Sequence, residues 1–203
     1  MAIFKPESTS SFTDYLGVCE IALVDFKDKS KDFDWADIFI EVTVKQKGSD
    51  YDRQLQIKGS LERENGIVTG GSVLKRMYHF FEQIGCGAGV NVQGEWEDSE
   101  GNKIDDIAQY LSDNHLSSVI PGTDPEYNYL GYLYKEQPKV PGGKSYTRVF
   151  TKVYQNKTDN KAKLENDVNW MKSKGYLKEM TDEVSNKTEM SGSGLSNLWT
   201  ILR

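Results

Sequence analysis

The chain has 203 residues, of which 37% are hydrophobic, 28% charged and 11% aromatic, with a formal net charge of −6. A chain of that length buries a hydrophobic core without staples, and its composition excludes wholly disordered, collagen-like and coiled-coil classes. No window reaches the roughly 18 consecutive apolar residues of a membrane helix, and the start Met1-Ala2-Ile3-Phe4-Lys5-Pro6-Glu7 lacks the apolar centre of a signal peptide, so a cytoplasmic protein with no membrane partner is expected. Cys19 and Cys86 stand far apart with no second Cys or His at ligand spacing, and both read as small core residues.

After a Ser/Thr/Pro-containing lead-in to about Asp14, Val18 to Val24 reads as a first strand. A charged loop, Asp25 to Asp34, follows, and its aromatics are expected to fold back on the core. Ala36 to Lys45 is a second strand, with Ile38, Ile40, Val42 and Val44 on one face; Arg53 to Leu61 is a third, with Leu55, Ile57, Gly59 and Leu61 on one face. Three strands in sequence predict a meander. Gly70-Gly71-Ser72 then opens a helix in which Leu74, Met77, Tyr78, Phe81 and Ile84 recur at three- and four-residue intervals. Residues 85–126, glycine-rich at first and with a turn at Asp98 to Asn102, read as an insertion. Tyr127 to Tyr134 and Ser145 to Tyr154 are a fourth and fifth strand around a Pro/Gly loop, and a helix from about Lys161 to Lys174 carries Leu164, Val168 and Met171 on one stripe.

Strand, strand, strand, helix, strand, strand is the order of an OB-fold. The predicted fold is therefore mainly β with helices (α+β): an OB-fold-like five-stranded barrel over residues 1–178, with an inserted lobe at about 85–126, a C-terminal helix, and a flexible tail at 179–203.

Charge is divided along the chain. Residues 1–134 hold 12 Lys and Arg against 23 Asp and Glu, whereas residues 135–178 hold 11 against 4. An acidic body with one basic stretch concentrates positive potential where a polyanion is met. Within that stretch, strand alternation puts Tyr146, Arg148, Phe150, Lys152 and Tyr154 on one face and Thr147, Val149, Thr151 and Val153 on the other. With the β-branched face inside a barrel, the outer face interleaves rings with cations, the combination that stacks bases and neutralises phosphates. Tyr132 and Tyr134 on the preceding strand extend this face, and Lys135, Lys139 and Lys144 rim it. The competing role for these aromatics is a core with cations snorkelling from its edge.

Enzymatic motifs do not assemble. Gly85-Cys86-Gly87-Ala88-Gly89 follows a helix and lacks the Lys-Ser/Thr of a phosphate loop, so it reads as a hinge. Asp98-Ser99-Glu100-Gly101-Asn102-Lys103 lacks the Gly and Glu of a calcium loop and reads as a hairpin turn. Asp37 with Gln56-Ile57-Lys58 is a chance-level nuclease spacing. His79 and His115 have no partner at triad or ligand spacing. No catalytic residue, metal or other cofactor is expected, and the protein is read as a non-enzyme.

Phe4-Lys5-Pro6, the strand end Asp25-Phe26-Lys27, the run Phe33-Asp34-Trp35-Ala36-Asp37-Ile38-Phe39-Ile40-Glu41-Val42 and the pair of late strands resemble small OB-fold proteins of bacteriophages that coat single-stranded DNA. The resemblance covers about residues 1–178 and implies sequence-tolerant single-stranded DNA binding during phage DNA replication and recombination, in the host cytoplasm. Such proteins often close on a strongly acidic tail that recruits replication or recombination proteins. This tail instead ends Leu195 to Arg203, an apolar segment with Leu198, Trp199 and Leu202 at helical spacing. It is expected either to dock on a partner or on a second copy in a homo-oligomer, or to pack on its own domain. A phage structural or adaptor protein making protein–protein contacts is the alternative.

Overall fold

The computed structural model describes residues 16–119 and 124–180. Strand β1 spans Gly17–Asp28; after a 3-10 turn at Ser30–Asp32 come β2 (Ile38–Gln46) and β3 (Asp52–Gly59). A hairpin of β4 (Glu62–Glu64) and β5 (Ile67–Gly70) leads into helix α1 (Ser72–Ile84). A second hairpin, β6 (Gly89–Val90) and β7 (Trp96–Glu97), precedes helix α2 (Ile107–His115). Strands β8 (Tyr129–Lys135), β9 (Thr147–Val149) and β10 (Tyr154–Gln155) and helix α3 (Asn160–Ser173) follow.

The predicted alternation becomes two sheet faces. Ile38, Ile40, Val42 and Val44 of β2 and Leu55 and Ile57 of β3 are all buried, while Glu41, Thr43, Gln54 and Gln56 point outward. Strand β1 runs past the expected end at Val24, because a register shift between Leu23 and Asp25 re-aims the chain and drops Phe26 into the core. The first loop is correspondingly shorter, and of its aromatics Phe33 stays exposed.

Strand β1 pairs antiparallel with β2 on one edge and with β8 on the other, and both β9 and β10 pair with the far edge of β8. At the seam β3 and β9 approach each other with no strand ladder joining them. Following the antiparallel steps from β3 through β2, β1 and β8 makes β9 parallel to β3. The result is a nearly closed barrel of OB-like topology, an α+β fold, with α1 between its third and fourth barrel strands. Gly131 of β8 faces β1, where an added Cβ would come within 2.8 Å of Ile21 Cδ1, so a larger residue there would require the buried Ile21 side chain to shift.

Helix α1 closes the barrel with Val73, Met77, Phe80, Phe81 and Ile84, a stripe rotated slightly from the predicted one, since Tyr78 is exposed and Leu74 half-buried. Gly85 takes the left-handed conformation (φ 73°) and donates its N–H to Glu82 O, while Cys86 N–H donates to Phe81 O. The glycine-rich stretch is thus a helix stop that places Cys86 and Ala88 in the core. The inserted lobe shares this core through Ile107 and Leu111, and Asp98 to Asn102 is the predicted turn, with the Asp98 carboxylate accepting from the N–H groups of Glu100 and Asn102. Cys19 is half-buried, and burial pushes its thiol up to about 12, so it stays protonated and inert at neutral pH.

Helix α3 lies across β10, β8 and the start of β1. Its Leu164 and Val168, with Leu177 beyond it, pack on Leu130, Tyr132 and Phe150 as a second apolar cluster on the outside of the barrel. Burying each such side chain is worth about 1.5–3 kcal/mol. Among the described residues no helix is long and apolar enough to cross a membrane.

Candidate nucleic-acid interface

Helix α3 divides the outer surface of the barrel into a covered half, β8 and β10, and an open half, β2, β3 and β9. On the open half, the loop from β1 to β2 is pinned at the end of β3, where Trp35 O accepts from Ser60 Oγ at 2.7 Å and Asp37 Oδ2 accepts from Leu61 N–H at 2.8 Å. This presents Phe33 and Trp35 over the buried Phe39: the Phe33 and Phe39 rings stack at 5.1 Å and 24°, and Trp35 remains 53% exposed. Lys58 Nζ hangs 5.1 Å from the Phe39 centroid and 5.9 Å from that of Trp35 while donating to Gln56 Oε1. Beside it, burial pushes the Glu41 carboxyl up, but bonds from Lys29 at 2.7 Å and Gln56 at 3.2 Å outweigh that and hold it below the usual range. Glu41 is thereby a neutralised acid, not a free one.

At the opposite end of β3 the Arg53 guanidinium lies 5.4 Å over the ring of exposed Tyr51, but Arg53 shares the inward parity of Leu55 and Ile57, so this pair stands at the rim of the barrel and not on the outer face that carries Lys58. Because β9 runs parallel to β3, its start lies at that same end. There Arg148 sits 5.7 Å over the ring of Tyr146, which is 56% exposed, and also bonds Glu136 at 2.9 Å. Lys135, Lys139 and Lys144 are exposed in and beside the β8–β9 loop and form no ion pair among the described residues.

The covered half has the same residue types in another role. Strand alternation over Ser145 to Tyr154 was expected to be continuous; it is broken, since residues 150–153 leave the ladder between β9 and β10. Val149 and Val153 do point inward, as predicted. Phe150 is 4% exposed beneath α3 and Tyr132 is 9% exposed, so neither lies on an accessible surface. The Tyr132 hydroxyl lies 3.0 Å from Glu179 and accepts from Lys172 Nζ at 2.8 Å, and Lys172 pairs with Glu179. Tyr154 donates to Asp167 Oδ2 at 2.6 Å, and the same oxygen pairs with Lys152 at 2.8 Å. Burial, and then the Asp167 bond, raise the Tyr154 phenol well above its ordinary value. Tyr132, Phe150, Lys152 and Tyr154 therefore hold α3 in place. Tyr134, half-buried and stacked on Tyr132 at 6.3 Å, sits on the boundary opposite Arg148.

Of the predicted surface, Lys135, Lys139, Lys144, Tyr146 and Arg148 remain accessible. Phe33, Trp35 and Tyr51 were not predicted, although aromatics at Phe33-Asp34-Trp35 and Tyr51-Asp52-Arg53 flanking the second and third strands were the readable signal; Arg53 and Lys58 read from the sequence only as a weaker cation pair, on opposite faces of the third strand. Leu198, Trp199 and Leu202 lie outside the described residues. Asp37, the proposed carboxylate of a nuclease, serves the Leu61 backbone and faces Arg63 at 3.6 Å. Comparison with protein-family models, with curated proteins and with solved structures finds no match.

Proposed function

We propose that this chain binds single-stranded DNA, without strong sequence preference and without chemistry of its own, along the open β2–β3–β9 half of the barrel. The observation that carries the reading is that Trp35 and Tyr146 are exposed there, and Tyr51 at the adjoining rim, each with a cation over its ring. A ring stacks any base for about 1–3 kcal/mol, and a cation already beside that ring neutralises the neighbouring phosphate. Strand β3, with 8 residues, separates the two ends of the face; at about 3.3 Å per residue that is on the order of 25 Å, room for several nucleotides. OB-type barrels use this face and its flanking loops for oligonucleotides. The resemblance of the sequence to phage DNA-coating proteins suggests the setting, DNA replication or recombination in the host cytoplasm.

Tryptophan-fluorescence titration with oligo-dT at two salt concentrations tests the reading. If about five cations, Lys58, Arg53, Arg148, Lys144 and Lys139, meet phosphates, log affinity falls against log salt with a slope of about −3.5. Absence of quenching at low salt, or affinity independent of salt, would reject it.

A further inference from the structure

Helix α3 hides the outer face of β8 and β10 but carries rings and cations on its own surface. Trp170 and Tyr176 are 54% and 69% exposed, and their rings lie 6.1 Å apart at 52°. Both are held by the helix end: Gly175 (φ 69°) turns the chain back, and Tyr176 N–H donates to Met171 O at 3.0 Å. Lys174 and Lys178 flank the pair, exposed and without an ion pair among the described residues. A ring pair this exposed does nothing for the core, since the apolar contacts of α3 are made by Leu164 and Val168 on its other side.

The pair is also continuous with the open half. Gln137 N–H donates to Lys178 O and Met180 N–H to Lys135 O, so the segment after α3 is bonded to the base of the β8–β9 loop. That loop carries Lys139, Lys144 and Tyr146. Rings and unpaired lysines therefore extend from Tyr146 over the loop to the C-terminal end of α3.

We infer that Trp170 and Tyr176, with Lys174 and Lys178, form a second stacking station for single-stranded DNA, reached only by strands long enough to cross the β8–β9 loop from the open face. The inference deepens the proposed function and rests on it. Stacking with adjacent cations identifies the ligand as a flexible single-stranded polyanion with accessible bases, as against a duplex, whose bases are closed.

The test uses the full chain and oligo-dT of two lengths, about five and about twenty nucleotides, spanning the range of OB-fold site sizes. The Trp170→Ala/Tyr176→Ala double variant should lose affinity for the longer oligomer by about tenfold or more while binding the shorter one as the wild type does. Trp170→Phe with Tyr176 intact should restore most of that loss, and Lys174→Gln/Lys178→Gln should flatten the salt dependence for the longer oligomer only. Unchanged affinity of the double variant at both lengths overturns the second station while leaving the open face standing. Equal losses at both lengths also overturn it, because the station would then be part of the primary site. Wild-type protein that binds neither oligomer overturns the parent reading instead. Both side chains are exposed, and an unchanged circular dichroism spectrum and melting curve confirm that the variants fold.

Discussion

The covered and open halves of this barrel are made of the same kinds of residue, and they differ in what lies over them. On β8 and β10 the tyrosine hydroxyls and lysines close onto the acids Asp167 and Glu179, and apolar surface is sealed by Leu164, Val168 and Leu177. On β3 and β9, and at the rim beside them, the lysine and arginines rest on Trp35, Tyr51 and Tyr146, whose rings stay exposed. Aromatic and cationic side chains alternating along a strand thus specify an amphipathic face, and a helix that folds back from later in the sequence decides whether that face is core or surface. When an acid follows on the covering element, the same lysine becomes a clasp; without one it remains available to a phosphate.

The largest effect expected from this contrast is on stability. Phe150→Ala removes a buried ring from beneath α3 and should cost about 3–5 kcal/mol in denaturant unfolding. Where the variant is still folded, its affinity for oligo-dT should be near that of the wild type. A variant of undiminished stability that no longer binds would reverse the assignment of the two halves. Next in size is the open-half counterpart: Trp35→Ala and Tyr146→Ala should each weaken oligo-dT binding by about 1–3 kcal/mol with little change in stability. If the binding loss were confined to Phe150→Ala and absent here, the open face would not be the site.

How much of this was legible in the sequence follows the range of the interactions. The inward faces of β2 and β3 and the burial of Val149 and Val153 could be read directly, because strand alternation is local and the apolar residues obey it. The stripe Leu164, Val168, Met171 was also visible, and a stripe needs a surface to cover. What the sequence did not state was that its partner is the outward row Tyr132, Phe150 and Tyr154, since that pairing is fixed only when α3 folds back across β8 and β10. The β-bulge at Val24 and the hairpin β4–β5 were missed for different reasons. The bulge leaves no compositional trace, whereas the hairpin was announced by Asn65-Gly66, whose positive φ values of 51° and 82° match a tight hairpin turn. For the open face, Trp35 and Tyr51 lie in loops, where alternation carries no information.

A smaller effect is expected from the clasp itself. Asp167→Asn keeps the shape but removes the charge that holds Lys152 and accepts from Tyr154, a change of about 1–2 kcal/mol for a bond to an ionised, partly exposed carboxylate. The diagnostic is the double variant with Lys152→Met. If the two costs are simply additive, Lys152 does not act through Asp167 and its pairing with α3 contributes nothing. Sub-additive costs establish the clasp. Lys152→Met alone should leave oligo-dT affinity and its salt slope unchanged, whereas Lys144→Gln on the open side should flatten the slope.

The smallest effect separates the halves by pH. His79 packs edge-on against Tyr154 at 5.0 Å, and its Nε2 lies 3.2 Å from Val153 O, on the covered side. Burial, and then the nearby Lys152 ammonium, lower its pKa below the ordinary imidazole value despite opposing pulls from the Val153 carbonyl, Asp167 and Glu82. In the unfolded chain the imidazole takes up its proton near its ordinary value of about 6.5. With the folded value depressed, the unfolded state binds more protons below that point, so stability is fully present above about pH 6.5 and is lost as pH falls through the folded value. His115 shifts in the same direction through burial, so substituting His79 removes only part of the dependence. Melting curves of wild type and His79→Gln between about pH 7.5 and pH 5.5 should therefore show a shallower decline in the variant. Parallel declines would mean that His79 is not what couples the covered half to protons. Over the same interval, oligo-dT affinity per folded molecule should hold constant, because neither histidine belongs to the open face.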